Sequence, residues 1–336
     1  MLDAGHNPIQ TVQSCEDKNV SLESLLDNLD FLFVWKIVMP RYHIRGNHCN
    51  PVAIFKALLL KEMRQIASKR KLAMFLKKDE YWLKKCGFEE PPHHDTFSKF
   101  INRIGQDSFE RIFDSIVSQI GEGREIGKVV AVDSTLVKAY SRSYKDSEPS
   151  DPDAKWGYNP NNEGWIFGYK LHMAVDAELE LPLTFTVTPA NVYDSVEYPN
   201  LLKKLVKNGI KPEVIVADAG YDSKKNVLLT LAEDIIPIIA LNPRNMKYSE
   251  TREFDRILPI KRESDAWKEN YKKRASVERV ISRLKEELNL KAVKVKGIDN
   301  VKVDVTLPLI AVLTVALAAF KTENGHLAKS VNPFRF

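Results

Sequence analysis

Cysteine is scarce in this chain of 336 residues: Cys15, Cys49 and Cys86 are odd in number, widely separated and form no C-x-x-C pair. That excludes a disulfide framework and the usual thiolate metal knuckle. His48 beside Cys49, and His93 beside His94, lack the spacing of a zinc finger. The first residues lack the basic-then-apolar profile of a secretory signal. The one strongly apolar run, Leu307–Phe320, is 14 residues long and contains Pro308. A bilayer-spanning helix needs about 20, so the run reads as a buried helix or a subunit contact. Internal repeats and low-complexity tracts are missing as well. A reducing, cytoplasmic setting is the expectation, and 44% apolar with 28% charged residues is the profile of an ordinary globular chain.

Excess charge is also small, +5 overall, but it is unevenly placed. Residues 1–30 carry six acids against Lys18, residues 41–104 carry 14 Lys/Arg against six Asp/Glu, and residues 268–302 carry 11 against five. Two separated basic stretches in a nearly balanced chain suggest one polyanionic partner touching both.

Pattern divides the chain into a peripheral N-terminal segment (1–45), a helical domain (46–122), an α/β domain (128–322) and a C-terminal tail (323–336). Ile54, Phe55, Leu58, Leu59 and Met63 repeat at helical spacing behind Pro51, and a second helix from about Lys69 turns Leu72, Phe75 and Leu76 inward. A third helix starts near Asp95 or Thr96, and a fourth spans Ser108 to Ile120. Beyond the linker Gly121–Gly127, K-V-V-A-V-D and E-V-I-V-A-D read as apolar strands ending in Asp133 and Asp218. Trp165–Val175, Leu183–Val187 and Ile235–Leu241 are further strands, residues 141–164 a long loop, and 194–207 a helix. The order of three strands, helix, strand, helix, strand, helix implies a mixed α/β sheet flanked by helices.

Chemistry concentrates in three acids. On a helix advancing about 100° per residue, Tyr271, Arg274, Glu278 and Lys285 fall at about 0°, −60°, −20° and −40°, on one strip. Val277, Val280, Ile281, Leu284 and Leu288 occupy the flank at about 180° to 280°, which docks on a core. Taken alone, Arg274 and Glu278 make an ordinary i, i+4 ion pair yielding about 0.2–0.5 kcal/mol. An acid at the end of an apolar strand is equally compatible with a turn or cap. Together, Asp133, Asp218 and Glu278 make an oxygen-rich set that must enclose a cation if the carboxylates converge, and hard ions such as Mg²⁺ or Mn²⁺ suit it.

The spacing Tyr271, Arg274, Glu278, Lys285 resembles the signature of insertion-sequence DDE transposases with a ribonuclease H-like core, in the subgroup with a Tyr-Arg-Glu-Lys motif. A-V-D-S-T around Asp133 and V-A-D-A-G-Y-D-S around Asp218 look like that family's first and second acid motifs. G-Y-K-L-H (Gly168–His172) and T-P-A-N-V-Y-D-S (Thr188–Ser195) resemble its internal strand and following loop, and residues 51–105 its N-terminal helical domain. The resemblance implies that Asp133, Asp218 and Glu278 are catalytic and bind two Mg²⁺ (or Mn²⁺) ions. It implies that Tyr271, Arg274 and Lys285 hold DNA phosphates, with Lys170 and His172 as DNA or active-site neighbours. Trp165 is read as a core or loop-anchor residue rather than a base-stacking one. The expected function is metal-dependent cleavage at transposon ends and strand transfer into target DNA by a homodimer on double-stranded DNA. A ribonuclease H-like nuclease without strand transfer and a catalytically silent DNA-binding derivative are the alternatives. The stretch of about 22 residues after Leu241 lacks the large β-rich insertion that some relatives carry there.

Overall fold

Strands apolar at every position must be covered on both faces, and the two such runs lie at the centre of the sheet. β1 (Val129–Lys138) and β5 (Val214–Ala217) pair in parallel, and β6 (Ile236–Ile239) extends the parallel set. β3 (Gly164–Asp176) runs antiparallel along the other side of β1. Its outer edge is divided between β2 (Lys155–Asn159), along its first residues, and β4 (Pro182–Pro189), along the rest. This computed structural model, which describes residues 21–42, 49–141, 148–159, 164–242 and 255–332, therefore has a mixed six-stranded sheet of ribonuclease H-like arrangement. β2 lies inside the stretch expected to be loop. It pairs residue by residue with β3, Tyr158 opposite Trp165, although its Lys, Gly and Asn weaken any strand pattern.

The helices covering the sheet are α7 (Asp194–Lys207), α8 (Lys224–Ala232), α9 (Asp265–Lys272) and α10 (Ala275–Ser282). Alternate residues of a strand face opposite ways. Trp267 of α9 accordingly covers Val129, Val214, Val216 and Ile238, while Val130, Ile215 and Ile239 belong to the main core.

Among the described residues, six helices precede the sheet: α1 (Leu22–Asn28), α2 (Leu32–Val38), α3 (Pro51–Met63), α4 (Lys69–Lys78), α5 (Glu80–Cys86) and α6 (His94–Gly121). Ser21, Ser68 and Asp79 each accept a backbone N–H in the first turn that follows, the expected N-cap device. α6 comprises the two helices expected after Pro92, separated at Gly105, whose φ of 69° and ψ of 169° are not helical. Within the segment taken as peripheral, residues 21–42 instead bury Leu22, Leu25, Leu26, Val34 and Val38 in the main core; residues 1–20 and 43–48 lie outside the described ones. The tail is likewise partly integrated: Ala328 and Val331 are buried, and Arg283 donates to the Lys329 carbonyl.

The apolar run belongs to α11 (Ile298–Lys321), a helix long and apolar enough by composition to cross a bilayer, yet 89% of its apolar window is buried inside this chain. It packs on α6, α3, α1 and β4. A subunit contact is therefore ruled out as the use of this face, and the helical and α/β regions share one core. The loop 148–154 holds the start of α11, with Asp151 accepting from Gly297 N–H at 3.2 Å and Asp153 from Ile298 N–H at 2.8 Å.

Gly168 sits where β3 leaves β2 for β4, and a Cβ there would lie 2.1 Å from the Val137 carbonyl oxygen of β1. Relieving that clash means parting the strands. Gly168→Ala should destabilise the protein by about 2–3 kcal/mol or more, read as a lower midpoint in urea at unchanged slope; an unchanged midpoint would contradict this packing.

Candidate active site

Register decides where the acids meet. Val132 of β1 lies opposite Ala217 of β5, so the next residues, Asp133 and Asp218, stand side by side on one face of the sheet. β5 stops at Ala217 while β1 continues to Lys138. Asp133 is thus mid-strand rather than strand-terminal, at a step in the sheet created by the end of its neighbour. Asp218 opens a 3₁₀ turn over Ala219–Tyr221, its Oδ1 accepting from Gly220 N–H at 2.9 Å. The capping and site readings of Asp218 therefore hold together.

Arg274 ties this pair to the third acid. Its Nη1 lies 3.3 Å from Asp133 Oδ2 and its Nη2 2.5 Å from Glu278 Oε1. The continuous helix expected here is composite. α9 ends at Lys272 and α10 begins at Ala275. Between them, Arg274 N–H bonds to the Tyr271 carbonyl three residues back, and Arg283–Glu287 forms a wider π turn. Arg274, Glu278 and Lys285 nevertheless line a single cleft of about 470 Å³ with Asp133 and Asp218. Tyr271 does not line it. Its ring stacks on Trp267 at 4.6 Å, and the Arg274 guanidinium lies 5.9 Å from its centre. On the outer side of α10, Glu180 from the turn between β3 and β4 accepts from Arg279 at 2.8 Å and Arg283 at 3.0 Å. That clamp sets the rotation of the helix.

Lys170 and His172, paired in the sequence reading, separate in the structure. Lys170 lines the cleft and donates to the Val192 carbonyl at 2.8 Å and Asp194 Oδ1 at 3.2 Å. His172 is fully buried, with Nε2 3.0 Å from Thr188 Oγ1 and Nδ1 3.4 Å from Asp194 Oδ1. It offers no surface to DNA and is an internal neighbour of the site. Trp165 is not a core residue: it is 64% exposed and packs on Tyr158, which lines the cleft.

Asp194 is the residue that sequence reasoning passed over. An acid in the first turn of a helix is commonplace, and only its place in T-P-A-N-V-Y-D-S drew notice. In the fold it lines the same cleft as Asp133 and Asp218. His93, His94 and Asp95 also approach within 4.8 Å of one another, at the start of α6, but His93 there accepts the Asp95 N–H as the helix cap.

Crowding shows in the ionisation of the acids. Burial, then the charge of Asp218, pushes Asp133 up to about 7, against the Ser134 N–H and Arg274, which favour its anion. Asp218 is raised by burial and by Asp194, with the Gly220 N–H opposing. Burial lowers His172 to about 4 despite Asp194, so its ring is neutral at pH 7.

Native Asp133 thus keeps a proton that the unfolded chain gives up near pH 4. Its contribution to stability is full below about pH 4 and is lost as pH rises through 7, by an amount on the order of 4 kcal/mol at most. In a chelator, Asp133→Asn should melt several degrees above the wild type at pH 8, with the gap closing as pH falls toward 4. An equal gap at both ends of that range would contradict the crowding.

With this geometry in hand, relatives become informative. A family model described as "Transposase DDE domain" matches residues 125–313, and "Transposase domain (DUF772)" matches residues 10–103. The piggyBac transposase, solved as a synaptic complex with hairpin DNA, is similar over 92% of this chain and 78% of its own, at 11% identity and a TM-score of 0.50. The Mos1 transposase paired-end complex with left transposon end aligns over 75% of this chain and 82% of its own, at 11% identity and a TM-score of 0.21. At such identities likeness speaks of fold alone. The DDE match, however, covers more than half of the sequence and every acid of the cleft, and the chain belongs to the DDE-domain transposases.

Proposed function

We propose that this transposase cuts DNA at the ends of its element in a metal-dependent reaction and joins the freed 3′-hydroxyl to target DNA at the same site. The observation that carries the proposal is the convergence of Asp133, Asp218, Glu278 and Arg274 in one cleft. Oxygen donors alone form the acidic set, and burial together with mutual repulsion keeps Asp133 well above the usual carboxylate range. Such a set fits a hard divalent cation. Asp133, Asp218 and Glu278 would hold the cation, two ions being the number expected of such a site. Magnesium or manganese bound there would supply the Lewis acidity that activates an attacking oxygen and offsets charge on the leaving one. No side-chain nucleophile is required.

The chain's own residues bind and orient. Arg274 and Lys285 present cations from one wall of the cleft, suited to the phosphates flanking the scissile bond. Tyr271, stacked on Trp267, sets its ring beside the Arg274 guanidinium. Beyond the cleft, the two basic stretches meet: Gln65 at the end of α3 donates to the Glu286 and Glu287 carbonyls, and Asp304 accepts from Lys294 N–H near Lys69. α4 therefore carries exposed Arg70, Lys71, Lys77 and Lys78 next to the catalytic helix, in a position to follow a duplex leaving the cleft. Pairing of two ends would require two copies of the chain on DNA.

A nuclease that cuts without joining shares the acids, and the reaction itself separates the two. With a labelled duplex carrying the element's own end and Mg²⁺ or Mn²⁺, the wild type should nick at the end and join it to a second duplex. Glu278→Gln should bind the duplex but nick at least about a hundredfold more slowly. Cleavage surviving in that variant would remove Glu278 from the site; cutting without joining would favour the nuclease. Replacing Arg70 and Lys71 together by Ala should weaken binding alike for all sequences. The slope of log affinity against log salt should flatten by about one for each phosphate left without its cation. An unchanged slope would take α4 off the DNA path.

A further inference from the structure

We infer that Asp194 is a fourth carboxylate of the cation-holding set and that Tyr221 is its positioning partner, an assignment that rests on the metal-dependent reading above. Asp194 lines the cleft with Asp133 and Asp218. One of its oxygens is engaged: Lys170 donates to Oδ1 at 3.2 Å, and His172 Nδ1 faces it at 3.4 Å. The other, Oδ2, is turned toward the loop that carries Asp218. A Cβ on Gly220 would stand 3.4 Å from Asp194 Oδ2 and 3.0 Å from Asp218 Oδ1. The missing side chain at Gly220 is what lets the two carboxylates look into the same space. Among the described residues, no hydrogen-bond donor engages Oδ2.

A second observation comes from the opposite direction. Tyr221 is 1% exposed and its hydroxyl makes no well-formed hydrogen bond, although the Ser134 side chain lies close enough to interact with it. The group faces Ser134 and lies in the field of Asp194, Asp133 and Asp218. A buried hydroxyl left without a well-formed hydrogen bond is costly and rare. Here it lies near carboxylates that repel one another, where a donor is most useful once the acids are all ionised around a cation. Its role is to orient Asp194, which would contact the ion directly or through hydration.

The plainer reading gives Asp194 the task of starting α7 and pairing with Lys170. That accounts for Oδ1 alone. It leaves the direction of Oδ2, the glycine facing it and the poorly bonded phenol as three unrelated coincidences.

Mn²⁺ binding to the full chain, followed by the loss of the free-ion paramagnetic resonance signal, tests the assignment without turnover, with thermal midpoints measured with and without Mn²⁺. Asp194→Asn should bind Mn²⁺ at least about tenfold more weakly, with Asp194→Glu recovering part of the loss. Tyr221→Phe removes a group that makes no well-formed hydrogen bond, so without metal its midpoint should equal or exceed that of the wild type, while the rise on adding Mn²⁺ shrinks. Should Asp194→Asn fail to fold, Tyr221→Phe decides. Wild-type affinity in both variants, with Asp133→Asn impaired, would overturn the present inference and leave the three-acid site standing. Wild-type affinity in Asp133→Asn as well would overturn both.

Discussion

Repulsion between carboxylates at a step in the sheet is the constraint from which the rest of this site follows. Neighbouring parallel strands lie about 4.8 Å apart, and two negative charges at about 5 Å repel by about 3 kcal/mol at an effective dielectric of 20. The β1/β5 register imposes that proximity on Asp133 and Asp218 and gives neither room to turn away. Arg274 is the resident compensation, one nitrogen on Asp133 and the other on Glu278. Its own position is held from outside the site. Glu180 grips Arg279 and Arg283, Trp267 underlies Tyr271, and Val277 and Val280 are fully buried. Each of these contacts serves to keep a cation beside Asp133 and Glu278, which lessens the crowding of the acids without removing it.

The parts legible in the sequence were those with an unmistakable period. V-V-A-V and V-I-V-A read as short apolar strands, and α7 spans residues 194–207 as its pattern indicates. β2 was not legible because its stability comes from pairing with β3, whereas its own residues favour irregular backbone. The interruption at Arg274 was invisible for a related reason. A tight turn followed by a π turn keeps Arg274, Glu278 and Lys285 on one cleft almost as a straight helix would, so the spacing carries no mark of the break. Asp194 and Tyr221 have no period at all. Their neighbours lie on β3, after β5 and on β1, far away in sequence, and only the folded sheet brings them together. His172 shows the limit of the strand pattern: two residues on from Lys170 it points to the same face, yet Lys170 lines the cleft and His172 is buried beneath it.

α11 changes how the two regions should be regarded. Composition makes it the most membrane-like segment of the chain, but it is the helix on which α6, α3 and β4 converge. A helical DNA-binding module joined by a flexible linker could reorient freely. Here the shared core, with Gln65 bonded to the Glu286 and Glu287 carbonyls, fixes the basic face of α4 relative to Glu278. On the function proposed above, the distance from a DNA backbone contact on α4 to the cutting site would then be a property of the fold, as cutting at one defined position would require.

The same rigidity explains why the acids are left crowded. Any group that relieves the repulsion binds with the energy the apo site has stored, since a ligand that prefers the native state stabilises it by its own affinity. Protons are the competing ligand. Asp133, raised to about 7, holds a proton near neutrality that a divalent cation bound there would have to displace, so on the proposed function cation affinity would rise with pH through that range and level off above it. Arg274 competes as well, and DNA phosphates offer it an alternative partner in the same cleft. Substrate that draws the guanidinium away from Asp133 and Glu278 leaves those acids more dependent on a cation. On the function proposed above, DNA that engaged Arg274 would raise the affinity of the acids for a cation, and a bound cation would raise the affinity for DNA by the same factor.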